Sequence, residues 1–182
     1  NFAIGGGFKS DKFKYYTGDI PEDYVLVNRD LIITMTDLSK EGDTLGYPVI
    51  VPKPLNCRYL HNQRLGKVEI KALKLINKYY LYYELCSDRY RQEIVGSASG
   101  TTVKHTSPTK ILSYKFILPE ENIVRMFGDL LEDISFFKES NYYNNQTLST
   151  LRDSLLPKLM SGELRIPDEI VNSYNESPGD NP

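Results

Sequence analysis

The sequence predicts an α+β protein with a mixed α/β domain at residues 1–118 and a long, coiled-coil-forming helix at residues 119–166. The first part alternates short β-prone apolar runs with turn residues, as small mixed domains do. The second part carries apolar residues at alternating spacings of four and three, which is the pattern of a coiled-coil helix. Residues 167–182 are rich in Asn, Ser, Pro, Gly and acidic side chains, which predicts a disordered tail.

The elements of the first part follow from its apolar runs and from the turn residues between them. Strands are predicted at residues 24–27, 31–36, 47–51, 64–70 and 114–118. A helix is predicted at 73–86, because Leu73, Ile76, Tyr80 and Tyr83 share one face at helical spacing. A second short helix is predicted at 88–95, and the small, polar residues 96–102 predict a loop.

The long helix is predicted from ten positions in one a/d register. Eight of them form what we call the apolar seam: Ile123, Phe127, Leu130, Ile134, Phe137, Leu148, Leu151 and Leu155. Asn141 and Asn144 hold the other two positions, and residues 141–145 are poor helix formers. A loop would preserve the register only about once in 3.5 trials, which favours one continuous helix.

Two features near the end of this helix predict where it stops. Pro157 lacks an N–H donor and is expected to kink or end the helix, and Ser161-Gly162 supplies a stop signal. An apolar seam without a second helix to cover it requires a partner. We expect that partner to be a second copy of the same unit or another molecule of the chain.

Bulk composition narrows the function classes. Residues 1–118 hold 17 Lys+Arg against 12 Asp+Glu, while residues 119–182 hold 5 against 12, so the two parts carry +5 and −7. This asymmetry suggests that the first part meets a polyanion. No apolar run approaches the ~20 residues that span a bilayer, and no signal peptide begins the chain. The spacing of Cys57 and Cys86 favours neither zinc nor a disulfide, so a cytoplasmic protein is expected. The absence of an initial methionine suggests a piece of a longer protein.

Catalytic motifs are weak. Gly5-Gly6-Gly7 fits no phosphate-binding pattern and is predicted to form a bend. His61 and His105 have no neighbouring ligand cluster, so no metal site is predicted. Glu69 and Lys71 match half of a metal-dependent nuclease site, but no well-placed Pro-Asp precedes them, so simple alternation along a strand, with both side chains in solvent, is the favoured explanation.

Three segments predict nucleic-acid binding, since lysines neutralise phosphates and Arg, Asn and Gln read base edges. The first interleaves lysines with aromatics, and its candidates are Lys9, Ser10, Lys12, Lys14 and Tyr15. The second contributes Arg58, His61, Asn62, Gln63 and Arg64. The third, around the polar loop, contributes Ser97, Ser99, Thr101, Thr102, Lys104 and His105. The alternatives are an amphipathic edge strand, amides bonded to backbone and a flexible linker, respectively.

Several motifs resemble those of one protein family. The closing run LRDSLLPKLMSGELRI, residues 151–166, is the most specific, and FKS at 8–10, DLIITMT at 30–36 and NQR at 62–64 accompany it. The loop 96–102 and the Ile-Leu-Pro at 117–119 also match. Together these segments resemble the specificity subunits of type I restriction-modification systems.

The resemblance implies a DNA reader without catalytic activity. In that family each target-recognition domain reads half of a bipartite site, and two conserved helices pair antiparallel. Partner modification subunits methylate adenine with S-adenosylmethionine, and a restriction subunit uses ATP and Mg to translocate and cleave DNA. The chain itself is then expected to bind no cofactor and to lie in the cytoplasm of a bacterium or archaeon. Two other hypotheses remain: a nuclease built on Glu69 and Lys71, and a coiled-coil interaction module whose first part binds protein.

Overall fold

The structure is a computed structural model that describes residues 1–10, 13–54, 57–71 and 75–170. Contacts divide the chain into two units, Asn1–Ile134 and Ser135–Pro182. Small antiparallel sheets and short helices precede one long helix, which confirms the predicted α+β class. Three earlier expectations lie outside the described residues: the role of Lys12, the position of Leu73 and the disorder of residues 171–182.

Seven short strands pair antiparallel within the described part of the first unit. A three-stranded sheet has the order β4-β2-β6, and the pairs β1-β5 and β3-β7 form separate ladders. The strands are β1 Val25–Leu26, β2 Leu31–Thr34, β3 Thr36–Asp37, β4 Pro48–Ile50, β5 Tyr59–Leu60, β6 Leu65–Lys67 and β7 Lys104–His105. The predicted strand 64–70 is therefore shorter than expected, because the ladder with β2 ends at Lys67.

The central strand β2 separates two hydrophobic clusters. All four of its residues are buried, and neighbouring side chains of a strand point to opposite faces. Ile33 packs in the cluster that also contains Leu45, Leu85, Tyr90, Ile94 and Tyr114. Ile32 packs with Leu26, Val49 and Val51. This arrangement explains why the predicted strand 31–36 begins with three consecutive apolar residues rather than with an alternating pattern.

Three short helices carry side-chain caps at their first turns. They are α1 Lys78–Glu84, α2 Asp88–Gly96 and α3 Pro108–Ser113, capped by Asn77, Ser87 and Ser107. The sequence analysis missed α3, although a serine cap followed by proline is a recognised helix start. The predicted strand 114–118 is wrong: these residues form no regular element, because α3 ends at Ser113 and Tyr114 turns into the core.

The long helix α4 spans Glu121–Met160 without interruption, so residues 141–145 are helical as predicted. The expectation that Pro157 ends the helix is wrong. Ser161 and Gly162 donate N–H bonds to the carbonyls of Pro157 and Leu159, so the last turn is held despite the missing proline donor. Gly162 has φ +76° and stops the helix where Ser161-Gly162 predicted.

Two faces of α4 differ in their environment. Val124, Gly128 and Leu131 are buried within the first unit. Most of the apolar seam is exposed, including Leu130 at 56% and Ile134 at 46%. Phe127 is the seam residue whose ring packs edge-on against Tyr80, at 6.1 Å between ring centroids, whereas Leu130 and Ile134 lie outside the buried face of α4. Among the described residues, none of the helices combines the length and hydropathy that crossing a bilayer requires.

Candidate nucleic-acid interface

Two of the predicted DNA-binding segments meet on either side of Met35. The Met35 N–H donates to the carbonyl of Arg64 (2.8 Å), and the Met35 carbonyl accepts from the N–H of Thr106 (3.0 Å). Met35 lies where β2, paired with β6, passes into β3, paired with β7. Neighbouring strands are about 4.8 Å apart, so the two segments lie within about 10 Å of each other.

The first of these segments is a tight turn at residues 62–65, which we call the NQR turn. The Asn62 side chain accepts from the N–H of Arg64, and the Asn62 carbonyl accepts from the N–H of Leu65, both at 3.0 Å. The side-chain oxygen of Asn62 is thus bonded to backbone, as the alternative interpretation expected for an amide. Gln63 and Arg64 are exposed at the tip of the turn.

The second segment is the loop 99–105, which we call the glycine loop. Ser99 and His105 exchange both backbone N–H bonds, at 3.0 and 2.8 Å, which closes the loop at its base. Gly100 has φ +94°, and a Cβ there would collide with the Val103 carbonyl. Thr101 and Thr102 are exposed at the tip. A loop closed in this way is more ordered than the flexible linker considered as its alternative.

The neighbours of the glycine loop anchor it at both ends. On the incoming side, Ser97 bonds the Ile94 carbonyl through its hydroxyl, and the Ser97 carbonyl accepts from the ammonium of Lys110. On the outgoing side, Lys104 and His105 form β7. The Thr36 hydroxyl lies 3.2 Å from Nδ1 of His105, which orients that exposed ring on β3.

One residue of the lysine-rich segment, Lys9, lies beside strands β2 and β3. Lys9 lines a cleft of 350 Å³ together with Thr34, Thr36 and Asp37. Phe8 and Phe13 pack with Tyr59, at ring-centroid distances of 5.3 and 6.0 Å from it. The described residues of this segment form no strand beyond an isolated bridge at Phe8, so the edge-strand alternative is wrong there.

Within that segment, Ser10 is partly buried, whereas Lys14 and Tyr15 are exposed after the aromatic packing. The preceding Gly5-Gly6-Gly7 forms the predicted bend, since Gly6 donates to the Ala3 carbonyl and Ala3 to that of Gly7. The bend returns the chain towards its start, where Phe2 and Phe8 pair.

Arg58 and His61 are held by partners within the chain. Arg58 donates to both carboxylate oxygens of Glu22, at 2.9 and 3.0 Å. His61 Nε2 lies 3.0 Å from the Asp23 carbonyl, and its ring packs on Tyr24. A base contact from Arg58 would have to break its ion pair first. Gln63 and Arg64, in contrast, are exposed at the tip of the NQR turn.

Asp37 organises the backbone beside the cleft. Its carboxylate accepts from the N–H of Ser39 and from the N–H and hydroxyl of Thr44, and the residue is 7% exposed. Burial raises the pKa of Asp37, but these hydrogen bonds outweigh burial and lower that pKa below its usual value of 3.8. The carboxylate stays ionised at neutral pH and fixes the loop 37–44.

Sequence reasoning missed Met35 and Thr36. Nothing in the local sequence marks Met35, because its partners are 29 and 71 positions away along the chain. Thr36 is recognisable only once the pairing of β3 with β7 is known. Both roles arise from long-range pairing rather than from local pattern.

The candidate nuclease pair has no supporting geometry. Glu69 and Lys71 are exposed, and they follow the end of β6 rather than alternating along it, so the predicted strand does not explain them either. Across the part of the chain that the structure describes, no group of three or more His, Cys, Asp or Glu side chains could hold a metal ion.

Comparison with known proteins finds relatives of one kind. The type I restriction enzyme MjaIX specificity subunit of Methanocaldococcus jannaschii is 34% identical over 98 residues, covering 53% of this chain and 22% of the relative. The EcoBI specificity subunit of Escherichia coli is 28% identical over 165 residues, covering 88% of this chain and 32% of the relative. The MjaVIII specificity subunit of M. jannaschii is 23% identical over 157 residues, covering 81% of this chain and 35% of the relative. No family model matches the chain.

These similarities confirm the resemblance seen in the motifs. The chain is homologous, at modest identity, to type I restriction enzyme specificity subunits over most of its own length. It spans about a third or less of the length of each relative.

Proposed function

We propose that this chain, a homologue of type I restriction enzyme specificity subunits, is a non-catalytic reader of double-stranded DNA. In this proposal the N-terminal part, residues 1–118, recognises one half of a bipartite target. Helix α4 pairs with the corresponding helix of a second copy of the same recognition domain and helix. The reader would direct adenine methylation and DNA cleavage that partner subunits carry out.

The observation that carries the proposal is the meeting of the NQR turn and the glycine loop at Met35. Both segments present exposed polar side chains, and both are closed by backbone bonds at their bases. The backbones of Arg64 and Thr106 lie within about 10 Å of each other, so the two segments are close enough to contact neighbouring base pairs of one duplex, which rise about 3.4 Å each.

The division of roles among the candidates follows from chemistry. Arg makes bidentate contacts with guanine, and Gln does the same with adenine, so we assign base readout to Gln63 and Arg64. Thr101 and Thr102 are assigned to the tip of the glycine loop, and His105 to its base. Lys9, Lys14 and Lys104 are assigned to phosphates, which add affinity for every sequence. The +5 charge of residues 1–118 supports this electrostatic part.

Partners and cofactors belong to the same proposal. The modification subunits would bind S-adenosylmethionine, and the restriction subunit would bind ATP and Mg, so this chain would supply only recognition and docking. The complex would work in the cytoplasm of a bacterium or archaeon. The exposed apolar seam of α4 supports a helical partner, because an isolated helix leaves such residues in water.

Selection from a duplex library with a randomised centre tests the proposal directly. The purified chain should enrich one short motif over several rounds, and the double variant Gln63→Ala/Arg64→Ala should lose part of that motif. A matched variant, Gln92→Ala/Arg125→Ala, changes the same residue types at exposed positions of α2 and α4 and should keep the motif. Enrichment of no motif, with equal binding of all duplexes, would refute sequence recognition. Mg-dependent cleavage by the chain alone would favour the nuclease hypothesis.

A further inference from the structure

The first part of α4 is attached to the N-terminal part by an unusually close contact at Gly128. A Cβ on Gly128 would lie 2.6 Å from the Cβ of Asn77, a separation that real side chains do not reach. Asn77 itself cannot withdraw easily, because its side chain caps α1 by accepting the N–H of Tyr79 at 2.8 Å. The helix is therefore pressed against the start of α1 at a point where only glycine fits.

A second contact lies one turn further along α4. Arg29 donates to the carboxylate of Glu132 at 2.9 Å, and the Arg29 carbonyl accepts from the ammonium of Lys78 at 2.7 Å. Arg29 has φ +67°, the left-handed region that residues other than glycine rarely adopt. Its N–H donates to the Val51 carbonyl at 2.7 Å, which helps to hold this strained turn. Lys78 is the first residue of α1, so both contacts meet at the same helix start.

From these contacts we infer that Gly128 and Arg29 are positioning residues that fix the first part of α4, up to Ile134, against the start of α1. One contact on its own would act as a pivot. Two contacts a turn apart, both tied to the start of α1, prevent the first part of α4 from rotating about its axis or sliding along it. We call this attachment the joint. Three separate segments of the chain meet there: the turn at Arg29, the start of α1 at Asn77 and Lys78, and α4 at Gly128 and Glu132.

This inference rests on the proposed function in one respect. If the N-terminal part reads DNA and α4 pairs with a second unit, a fixed angle at the joint sets where each reading surface stands on the duplex. A loose joint would then allow the same half-sites to be read at several separations. Gly128 and Arg29 would thus act on the spacing of the target without touching DNA.

The joint can be tested without DNA. Pulsed electron paramagnetic resonance measures the distribution of distances between two spin labels in the full chain. Labels at Thr109→Cys in α3 and Asp129→Cys in α4 occupy exposed positions of the first unit, with Cys57→Ser and Cys86→Ser as background. Dilution with unlabelled chain ensures that a self-associated pair of molecules holds at most one labelled molecule, so that only distances within one molecule are measured. The unmodified joint should give one narrow distance, and Gly128→Val should give a distribution about twice as wide or a second distance.

The matched control is Gly96→Val, which changes a helical glycine of α2 whose Cβ would meet nothing within 4 Å. It should leave the distance narrow. Should Gly128→Val fail to fold by circular dichroism, the pair Arg29→Gln/Glu132→Gln decides, because it removes the charges and adds no volume. An unchanged narrow distance in a folded Gly128→Val or in the charge-removed pair would overturn the inference. Since no DNA is present, this result is independent of whether the chain reads DNA.

Discussion

The Thr36 hydroxyl and Nδ1 of His105 lie 3.2 Å apart, although the two residues are 69 positions apart in the chain. The same two residues are directly paired in the β3-β7 ladder. The side-chain contact therefore reinforces a backbone pairing at the base of the glycine loop. It places the last residue of that loop beside Thr36, which directly follows Met35, the residue whose N–H bonds the NQR turn at Arg64.

The order of the glycine loop predicts the effect of Gly100→Ala. Alanine would have to adopt φ +94° and displace the Val103 carbonyl, so the loop should open. A left-handed conformation alone costs about 1–2 kcal/mol for a residue with a Cβ. We expect sequence discrimination to fall while binding to random duplex changes little, which competition binding would measure.

The control for that change is Gly162→Ala. Gly162 also has a positive φ, +76°, but its Cβ would meet nothing within 4 Å, and it lies at the end of α4. Its replacement should leave discrimination unchanged. Equal discrimination by Gly100→Ala and by the unmodified chain would remove the glycine loop from base readout.

Lysine and base-reading variants should separate affinity from specificity. Lys9→Ala/Lys14→Ala should weaken binding to every duplex and reduce the slope of log affinity against log salt by about 1.8, because each phosphate contact contributes about 0.9. Arg64→Ala should instead lose about 1–3 kcal/mol of discrimination at one base position. Fluorescence anisotropy at several salt concentrations measures both quantities.

Lys138→Ala, an exposed lysine of α4, serves as the matched charge control and should leave the salt slope unchanged. An equal loss for Arg64→Ala on selected and on random duplex would assign Arg64 to phosphates. We make the same prediction for Lys12→Ala as for Lys14→Ala, on sequence grounds alone.

The exposed seam predicts that the chain self-associates through α4 unless its natural partner is present. Leu130→Lys/Ile134→Lys should give a monomer whose first unit still folds, because both side chains are about half exposed and neither belongs to the face buried by that unit. Sedimentation velocity measures the association state, and circular dichroism measures the fold.

Gln146→Lys/Ser149→Lys adds the same charge at exposed positions of α4 outside the seam and should leave association intact. An unmodified chain that stays monomeric at high concentration would contradict pairing through the seam.

The Asp37 carboxylate predicts a pH dependence of stability. Because its pKa is lowered in the folded chain, its hydrogen bonds contribute fully above the usual pKa of 3.8 and are lost as pH falls further, through the folded value. Asp37→Asn should therefore cost about 1–3 kcal/mol in the free energy of unfolding near neutral pH. The difference from the unmodified chain should shrink below pH 3.8, as urea unfolding at several pH values would measure.

Asp43→Asn, which replaces an exposed carboxylate in the same loop, is the comparison and should change the free energy of unfolding near neutral pH by less than Asp37→Asn does. If Asp37→Asn lowers the free energy of unfolding by the same amount at every pH, the negative charge of Asp37 does not contribute to stability.

Local patterns predicted the elements whose stabilising contacts are local. The strand expected at 31–36, the helix expected at 88–95 and the long helix were found, in whole or in part, because the apolar pattern that predicts each lies within the element itself. The strand expected at 114–118 failed because Tyr114 and Phe116 are apolar for a different reason: they pack on the core from an irregular segment. Pattern alone does not distinguish these two origins of a buried aromatic.

The sequence predicted the separate segments of the candidate site but not that the structure brings them together. Segments around Arg64 and His105 were selected for their residue types, whereas their proximity depends on Met35, which pairs with both. The docking face of α4 was also missed, because Val124, Gly128 and Leu131 lie one position along from the seam and carry no stronger apolar signal. Both relationships come from contacts between distant parts of the sequence.

The closure of the glycine loop at its base has a practical consequence for redesign. The bonds that hold the loop are made by Ser99 and His105, while Thr101 and Thr102 stand at its tip. Many pairs of residues could replace the two threonines without disturbing those bonds. A combinatorial library at these two positions, with Gly100 kept, would therefore be an economical starting point for engineering a reader with a different target.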